Sequence, residues 1–441
     1  MTNKKLFSIH FLLFVIFSCF FYRYFYASQL IPTAQLIAYS TATLLILTYI
    51  SFFVFKRIIF IKENSFIYKI DAIDIFILIL ISLSLLTFIK TFIENGANQS
   101  IIFFGKFLLP LLIYFIFRIF GKEIDPIFKK YLIFFSILFI VLILFEGYFQ
   151  IIYKTDILNW SNDFTQSQGI YRGMAINYTF FDYQIYTSRP RGWSGQPQSS
   201  GAFIAIFLLF YLIYKQKNIF LKYFIIFLTI LGIYISGSRT ALIVTIIGVF
   251  FIFVSNYRFN KKMIYLFLPL ASVAALATLS FLVTFTHFDE VISSFKFSLV
   301  NYFYSLSMEP GIPYVKEGLT SSIKSTMSIF NVHKFEFIDI LIGINQPYYA
   351  RDIFMLNNFM RLGILYSIIF LLMIINILFR IEIDGEKKIK NLEYYLIIFG
   401  FLISSLHYDL IYVFPANFIF FACIAILVNI NKNRKRLFLN D

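Results

Sequence analysis

Long apolar runs alternate with short polar segments along most of the chain. A helix needs about 20 mostly apolar residues to cross the hydrocarbon core of a bilayer, so such runs, bounded by charge, Pro, Gly or Asn, predict transmembrane helices. They lie at residues 6-26, 34-55, 72-92, 101-119, 131-152, 200-214, 219-235, 240-257, 263-285, 357-379, 393-410 and 412-430. The pattern predicts an all-α, polytopic membrane protein, a single integral membrane domain over residues 1-441 with about 12 transmembrane helices.

Some of these segments are weaker predictions than the rest. The segment at 6-26 follows the basic start "MTNKK", as a signal peptide would, but no small-x-small cleavage site follows it, which favours a retained helix. The segment at 200-214 is short for a span, and "SSLHYDLIYVFPAN" leaves almost no room for a loop between the last two segments.

Composition and charge agree with this class of protein. The chain is 60% hydrophobic, 21% aromatic and 14% charged, with a mean hydropathy of +0.80. If the N-terminus is cytoplasmic, the inner segments carry 24 of the 38 basic residues and nearly all of the net charge of +15. This distribution predicts a multi-pass protein of the cytoplasmic (inner) membrane with both termini cytoplasmic, and it explains the basic total without nucleic acid as a partner.

The same topology leaves two long loops outside, at 153-199 and 286-356. Long loops on a compact membrane protein usually carry function, and both are rich in aromatic, Gly and charged residues. Leu319, Ile323, Met327 and Phe330 share one helical face in the second loop. They predict an amphipathic helix, either at the membrane surface or packed on the bundle.

Common motifs for metals and cofactors are absent from the sequence. It contains no Walker phosphate loop, no dinucleotide fingerprint, no H-E-x-x-H and no zinc spacing of Cys pairs. Cys19 and Cys423 fall inside predicted helices and are expected to be small core residues. We therefore expect no cofactor and no metal site.

Arginine recurs at the predicted outer ends of the helices. It occurs in "TSRPRGWSGQPQSSGAF" at 187-203, in "SGSRT" at 236-240, and on both sides of "DIFMLNNFM" where the second loop re-enters the membrane. The planar guanidinium fork suits phosphate oxygens and stays charged near lipid, so three chain segments at one level predict a site for a lipid-linked pyrophosphate. The residues of this predicted site are Arg189, Arg191, Gly192, Trp193, Ser238, Arg239, Arg351 and Arg361.

Each arginine also has a simpler explanation. A single Arg at the outer end of a helix commonly reaches toward lipid phosphate or caps backbone carbonyls, and for most of these residues that explanation is favoured. For Arg239 the site role is favoured, because the tight turn and its apolar flanks fix the depth of the side chain.

"ISGSRTALI", the upstream "RPRGWSGQPQSSG", and the passage from "LIGINQ" to "NNFMRLGILYSIIF" together resemble the O-antigen polymerase and O-antigen ligase superfamily. The resemblance covers roughly residues 185 to 380. It implies a membrane glycosyltransferase that uses an undecaprenyl-pyrophosphate-linked oligosaccharide at the outer face of the cytoplasmic membrane. Arg191 and Arg239 would then supply the counter-charge for the pyrophosphate leaving group.

The end of the second loop favours a polymerase over a ligase. In the ligases a His usually stands just before an Asn as the suspected base, whereas this chain has Asn357 and Asn358, and an amide does not accept a proton usefully near neutral pH. The base stays open between Asp352, His333, and His407 with Asp409, and it is dispensable if the pyrophosphate departs first.

The expected function is therefore polymerisation of lipid-linked repeat units of O-antigen, capsule or exopolysaccharide. A ligase or related glycan transferase is the first alternative. A flippase of lipid-linked sugars is the second, although mid-membrane charges are few and Glu146 is the main exception. Membrane lipid, a chain-length regulator and a flippase are the further candidate partners.

Overall fold

The structure is a computed structural model, and it describes residues 3–21, 34–59, 70–153, 176–180, 183–187, 197–214, 219–236, 238–256, 337–343, 354–381, 389–405 and 410–432. Most of these residues are helical. The α-helices are α1 (Asn3–Ser18), α2 (Ala34–Ile59), α3 (Ala72–Phe103), α4 (Leu109–Phe120), α5 (Ile124–Tyr153), α6 (Pro197–Ile213), α7 (Ile219–Ser236), α8 (Arg239–Asn256), α9 (Phe337–Ile342), α10 (Phe354–Phe379), α11 (Leu392–Ser404) and α12 (Ala416–Lys432).

Shorter elements join or extend these helices. Three are turns of 3-10 helix, one is a π-helix between α3 and α4, and two are β-strands. They are Cys19–Phe21, Phe104–Leu108, Gly121–Glu123, Leu410–Tyr412, β1 (Ile176–Phe180) and β2 (Tyr183–Thr187).

Eleven of the segments predicted from apolar runs contain a helix, and the segment 263-285 lies outside the described residues. Three described stretches are long and apolar enough to cross a membrane, namely Ala72–Glu94, Ser100–Glu146 and Arg361–Phe379. The prediction of a helical protein that contains helices long and apolar enough to cross a membrane is confirmed. The count of about twelve spans stays a prediction.

The stretch Ser100–Glu146 is 47 residues long, about 70 Å at 1.5 Å per residue and more than twice the thickness of a hydrocarbon core. It folds back on itself near Gly121, where φ is +65°. Phe117 on α4 meets Phe128 on α5 edge-on across this turn, with ring centroids 5.6 Å apart. The stretch is therefore two helices separated by a turn, as the separate segments 101-119 and 131-152 predict.

Two helices are enclosed on all sides by the rest of the protein. Every residue from Ser199 to Tyr211 on α6 is buried, and so is every residue from Ala416 to Asn429 on α12. By contrast, α3, α7, α8 and α10 each turn a row of large apolar side chains outward, such as Phe220 and Phe227 on α7. Exposed apolar faces of this extent are typical of surfaces that meet lipid.

The helices alternate in direction, so their ends form two opposite faces of the bundle. α6 and α8 run parallel, since Gly201 lies against Ser238 and Leu209 lies against Gly248. α4 and α12 also run parallel. The side-chain N–H groups of Asn417 and Asn429 donate to the backbone carbonyls of Lys106 and Phe117, which follow in the same order along the π-helix and α4. Helix ends that adjoin predicted inner loops meet at one face of the bundle, as the pairs Asp74–Arg118 and Lys129–Glu393 show.

Three local features depart from the sequence predictions. First, β1 and β2 form an antiparallel hairpin inside the predicted loop 153-199, where no strand was predicted. Second, the helix of segment 72-92 continues through a kink at Gly96 to Phe103, where a connection was expected. Third, only a 3-10 turn separates α4 from α5. Both connections are shorter than predicted because helices can extend past the apolar run into the interface.

The remaining predictions about the loops fall outside the described residues. The amphipathic face formed by Leu319, Ile323, Met327 and Phe330 is among them. Within the second loop the structure describes residues 337–343, which include α9, and the first three residues of α10. Cys19 and Cys423 are confirmed as free, buried cysteines.

Candidate functional site

The "SGSRT" turn lies between two helix ends. α7 ends at Ser236, and α8 begins at Arg239. The Ser238 hydroxyl accepts a hydrogen bond of 3.2 Å from the backbone N–H of Ala241, so Ser238 is the N-cap of α8. The turn predicted from the sequence is confirmed, and Arg239 is the first residue of a helix and not a charge in the middle of one.

The N-terminal part of α6 lies directly against this turn. A Cβ built on Gly201 would come within 2.4 Å of the Ser238 Cβ and 2.5 Å of the Ser236 Oγ. Real Cβ contacts are not this short, so a residue without a side chain is required at position 201. Two motif segments separated in sequence, "QPQSSG" and "SGSRT", therefore touch through Gly201.

Small hydroxyl side chains lie on both segments within three residues of this contact in sequence. We call this group the serine cluster; its members are at most 1% exposed, and they are Ser199, Ser200, Ser236, Ser238 and Thr240. The Ser236 hydroxyl donates to the Ile233 carbonyl at 2.7 Å. The hydroxyl oxygens of Ser199 and Thr240 form no hydrogen bond with any residue that the structure describes. A buried polar atom without a partner costs about 1–3 kcal/mol, so these two oxygens are suited to a ligand or to water.

Two helix N-termini converge on the serine cluster, and both belong to long helices. α6 has 17 residues and α8 has 18. The free N–H groups and the aligned peptide dipoles at such ends favour negative charge by about 0.3–1 kcal/mol each in exposed settings. Together with the hydroxyls, they form a local environment that favours an anion.

Only part of the predicted arginine site lies in the described residues. Ser238 is buried in the serine cluster, Arg239 begins α8, and Arg361 is half-buried on α10. Asn357 and Asn358 lie in the first turns of α10, and nothing is described of their side chains. The other predicted site residues lie outside the described residues: Arg189, Arg191, Gly192, Trp193, His333, Arg351, Asp352, His407 and Asp409.

A second close crossing holds the start of α10 at the same face of the bundle. Gly343 (φ +82°) lies against the backbone of Arg361, and Gly363 (φ +83°) lies against the backbone of Leu341, with built Cβ atoms 2.4 and 2.0 Å from the nearest atoms. Both residues need the left-handed region, which glycine reaches without strain. The segments "LIG" at 341-343 and "RLG" at 361-363 are therefore in close backbone contact.

Two side chains of α3 form hydrogen bonds to the backbone at this crossing, and neither is among the site residues predicted from the sequence. The Thr87 hydroxyl donates to the Ile342 carbonyl at 2.6 Å, and the Lys90 ammonium donates to the Gly343 carbonyl at 3.2 Å. Lys90 is 17% exposed and lies 4.0 Å from Glu94. The sequence signal that could have identified Lys90 is a lysine inside the predicted membrane segment 72-92.

Glu146 reaches the depth of the serine cluster on a neighbouring helix. α5 packs against α7, where Gly232 lies close to Ile140. Four residues further along α7 is Ser236, and six further along α5 is Glu146, so the two differ in height by about 3 Å at 1.5 Å per residue. The carboxylate is buried. It therefore lies at the helix-end level and not in the middle of the bundle.

The opposite face of the bundle holds charged groups that are paired. Asp74 accepts hydrogen bonds from Tyr114 at 2.6 Å and from the Arg118 Nε at 2.8 Å, and Arg118 also donates to Asn429. Lys129 lies 2.9 Å from Glu393 and 3.3 Å from Asp125. We call this face the paired end, because its buried polar atoms form hydrogen bonds and ion pairs with one another.

The paired end continues to Asp71, the N-cap of α3. Its carboxylate accepts from the Ile73 N–H at 2.9 Å and lies 2.7 Å from the Arg380 guanidinium. Burial would raise the pKa of Asp71, but the hydrogen bonds from Arg380 and Ile73, together with the Arg380 charge, hold that pKa below its usual value. The carboxylate is therefore ionised at neutral pH.

Comparison with protein-family models, with curated proteins and with solved structures gives no match to this chain. Within the described part of the chain, no group of three or more His, Cys, Asp or Glu residues is arranged to hold a metal ion.

Proposed function

We propose that this protein polymerises oligosaccharide repeat units linked to undecaprenyl pyrophosphate, at the outer face of the cytoplasmic membrane. The observation that supports this most directly is the contact between Gly201 and Ser238, which joins the two most specific motif segments of the sequence. The growing glycan would leave its pyrophosphate carrier and be joined to a hydroxyl of a new lipid-linked unit.

The chemistry required of the protein is to accept a developing pyrophosphate charge. The serine cluster offers unpaired hydroxyls, two helix N-termini and Arg239 at the first position of α8. Fixed donors and cations that are in place before the charge develops stabilise a leaving group without reorganisation. Arg191 lies upstream of α6 in sequence and is the proposed second cation.

The orientation follows from the charge distribution. The described ends of the basic connections 118-130 and 380-393 lie at the paired end, which we propose faces the cytoplasm. The serine cluster then faces the periplasm or the exterior, where the polyprenyl-linked substrate is expected.

The test of the function is replacement of Arg239 by Ala and by Lys in the host, with Lys222→Ala as a control. Lys222 is a cation toward the other end of α7 and donates to the Leu212 carbonyl. We expect Arg239→Ala to reduce the surface polysaccharide to single repeat units on a gel. Arg239→Lys should restore long chains only incompletely, because Lys lacks the bidentate fork. The control Lys222→Ala should keep long chains.

Two other outcomes of this test have distinct meanings. Normal long chains in the Arg239→Ala strain would contradict the proposal. Long chains that accumulate on the lipid carrier would favour a ligase, which transfers finished chains.

A second experiment asks whether the serine cluster binds substrate. Ser199→Ala and Thr240→Val each remove an unpaired hydroxyl, so we expect shorter chains with unchanged or higher thermal stability. Ser136→Ala is the matched control, because its hydroxyl bonds to Tyr211 at 2.6 Å and its loss costs about 0.5–1.5 kcal/mol of stability. Full-length chains in both cluster variants would remove the serine cluster from the site.

A further inference from the structure

A second polar cluster lies at the same face of the bundle as the serine cluster. We call it the tyrosine–asparagine cluster, and it consists of Tyr366 on α10, Tyr412 in the 3-10 turn before α12, and Asn417 at the start of α12. All three residues are at most 4% exposed. The Tyr412 ring packs on Phe107 of the π-helix with centroids 4.7 Å apart.

Two oxygen atoms in this cluster have no hydrogen-bond partner among the described residues. The Asn417 side-chain N–H donates to the Lys106 carbonyl at 3.1 Å, which fixes the orientation of the amide, and the Asn417 Oδ1 is left without a donor. The Tyr366 hydroxyl does not form a hydrogen bond of acceptable geometry either. Both atoms lose solvation without compensation, which native proteins tolerate at few positions.

Asn429 shows what a fully bonded asparagine in the same helix looks like. It lies twelve residues further along α12, about 18 Å away, at the paired end. Its Oδ1 accepts from Arg118, and its side-chain N–H donates to the Phe117 carbonyl at 2.9 Å. The helix can therefore satisfy a buried amide completely, and the unpaired oxygen of Asn417 is specific to the other end.

A row of aromatic rings connects the tyrosine–asparagine cluster to the serine cluster. Successive ring centroids are 5.6 to 6.3 Å apart. The rings in order are Tyr366, Phe370, Phe420, Phe401 and Phe203, and the last of these lies two residues beyond Gly201. The two clusters thus lie at the same end of one continuous aromatic layer.

We propose that the tyrosine–asparagine cluster binds the hydroxyl groups of a sugar, as a second subsite beside the serine cluster. An amide oxygen accepts from a sugar hydroxyl, a phenol both donates and accepts, and aromatic rings pack on apolar sugar faces. Resting on the polymerase function proposed above, the occupant is the glycan of the acceptor unit, while the serine cluster takes the charged pyrophosphate of the donor.

The test uses the full-length protein in lipid nanodiscs and two probes. One is the oligosaccharide released by mild acid from the repeat unit of the host, and the other is inorganic pyrophosphate. Saturation-transfer NMR measures binding of the oligosaccharide, and 31P line broadening measures binding of pyrophosphate. Both are applied to the wild type, to Tyr366→Phe and to Asn417→Leu. We expect each variant to bind the oligosaccharide about 5- to 10-fold more weakly, as loss of one hydrogen bond to a ligand predicts, and to bind pyrophosphate as the wild type does.

Tyr114→Phe is the matched control. Tyr114 is as fully buried as Tyr366, but its hydroxyl donates to Asp74 at the paired end. We expect this control to lower the thermal midpoint and leave oligosaccharide binding within twofold, whereas Tyr366→Phe leaves the midpoint unchanged or higher because its hydroxyl is unpaired.

The outcomes separate this inference from the function on which it rests. Unchanged oligosaccharide affinity in both variants, or no binding to the wild type, overturns the sugar subsite and assigns the two oxygens to buried water only. Weakened oligosaccharide binding supports the sugar subsite. If normal polymer also persists in the Arg239→Ala strain, the subsite stands and the polymerase function fails.

Discussion

The two ends of the helix bundle solve the problem of buried polar groups in opposite ways. At the paired end, Asp74, Arg118 and Asn429 are almost completely buried and each is bonded to another side chain. At the other end, Ser199 and Thr240 are equally buried, carry no charge and lack partners among the described residues. A satisfied network holds helices together, whereas unsatisfied oxygens lower stability unless a ligand or water completes them. The difference supports the proposal that one end maintains the fold and the other binds substrate.

The largest effect on stability is expected from Asp74→Asn. It breaks a buried ion pair and leaves the Arg118 charge uncompensated, which typically costs about 3–5 kcal/mol. Glu123→Gln is the control, since it makes the same change of charge on an exposed side chain at the same end. We expect Asp74→Asn to lower the thermal midpoint strongly in detergent, and the polymer made per folded molecule to be unchanged. Short chains at normal protein abundance would mean that the paired end also takes part in function.

The next largest effect is expected from Gly201→Ala, and it should fall mainly on activity. The added Cβ would meet Ser236 and Ser238 at 2.4–2.5 Å, so α6 must move away from the turn before α8. Overpacking of this kind costs about 1–3 kcal/mol. Polysaccharide gels should show short chains in this variant.

Gly232→Ala on α7 is the matched control, because its nearest neighbours would lie at 3.7–3.8 Å, in ordinary contact. We expect long chains and wild-type stability. Equal activity in the two glycine variants would contradict the importance of the close approach at Gly201.

The smallest effect concerns the pair of Asp71 and Arg380 at the edge of the paired end. The pKa of Asp71 is lower in the folded protein than in the unfolded chain, so the carboxylate stabilises the fold fully above the unfolded pKa of about 3.9 and loses this contribution as pH falls through the lower folded pKa. Asp71→Asn keeps a residue able to cap α3 and removes the pair, for a loss of about 0.5–1 kcal/mol.

The thermal midpoints of the wild type and of Asp71→Asn, measured between pH 7 and pH 3, check this prediction. The difference between wild type and Asp71→Asn should be constant from pH 7 to pH 5 and should shrink below pH 4. A difference that disappears already near pH 6 would show that another group controls the pair.

The sequence predicted the helices well because crossing a hydrocarbon layer requires long apolar runs, and these are visible without knowledge of any contact. It also placed Arg239 correctly at a helix end, since "SGS" between two apolar runs indicates a turn with an N-cap. It did not predict that Gly201 touches Ser238, or that Asp74 pairs with Arg118, because residues 37 and 44 positions apart meet only after the helices pack.

Periodicity also failed to show which helices lie at the centre. The segment 200-214 is short for a membrane span, which makes it a weak prediction, and yet α6 is buried along nearly its whole length. Apolar composition is the same for a side chain that meets lipid and for one that meets another helix, so the sequence carries little information on this point.

The enclosure of α6 has a consequence for hydrophobic mismatch. Its 17 residues extend about 25 Å, less than the roughly 30 Å of a hydrocarbon core, which a lipid-facing helix would have to correct by thinning the bilayer around it. With protein on every side, α6 meets no lipid and incurs no such penalty. Any mismatch therefore reaches the serine cluster only through α7 and α8, whose apolar faces are exposed, while the α6 side of the cluster is held by protein alone.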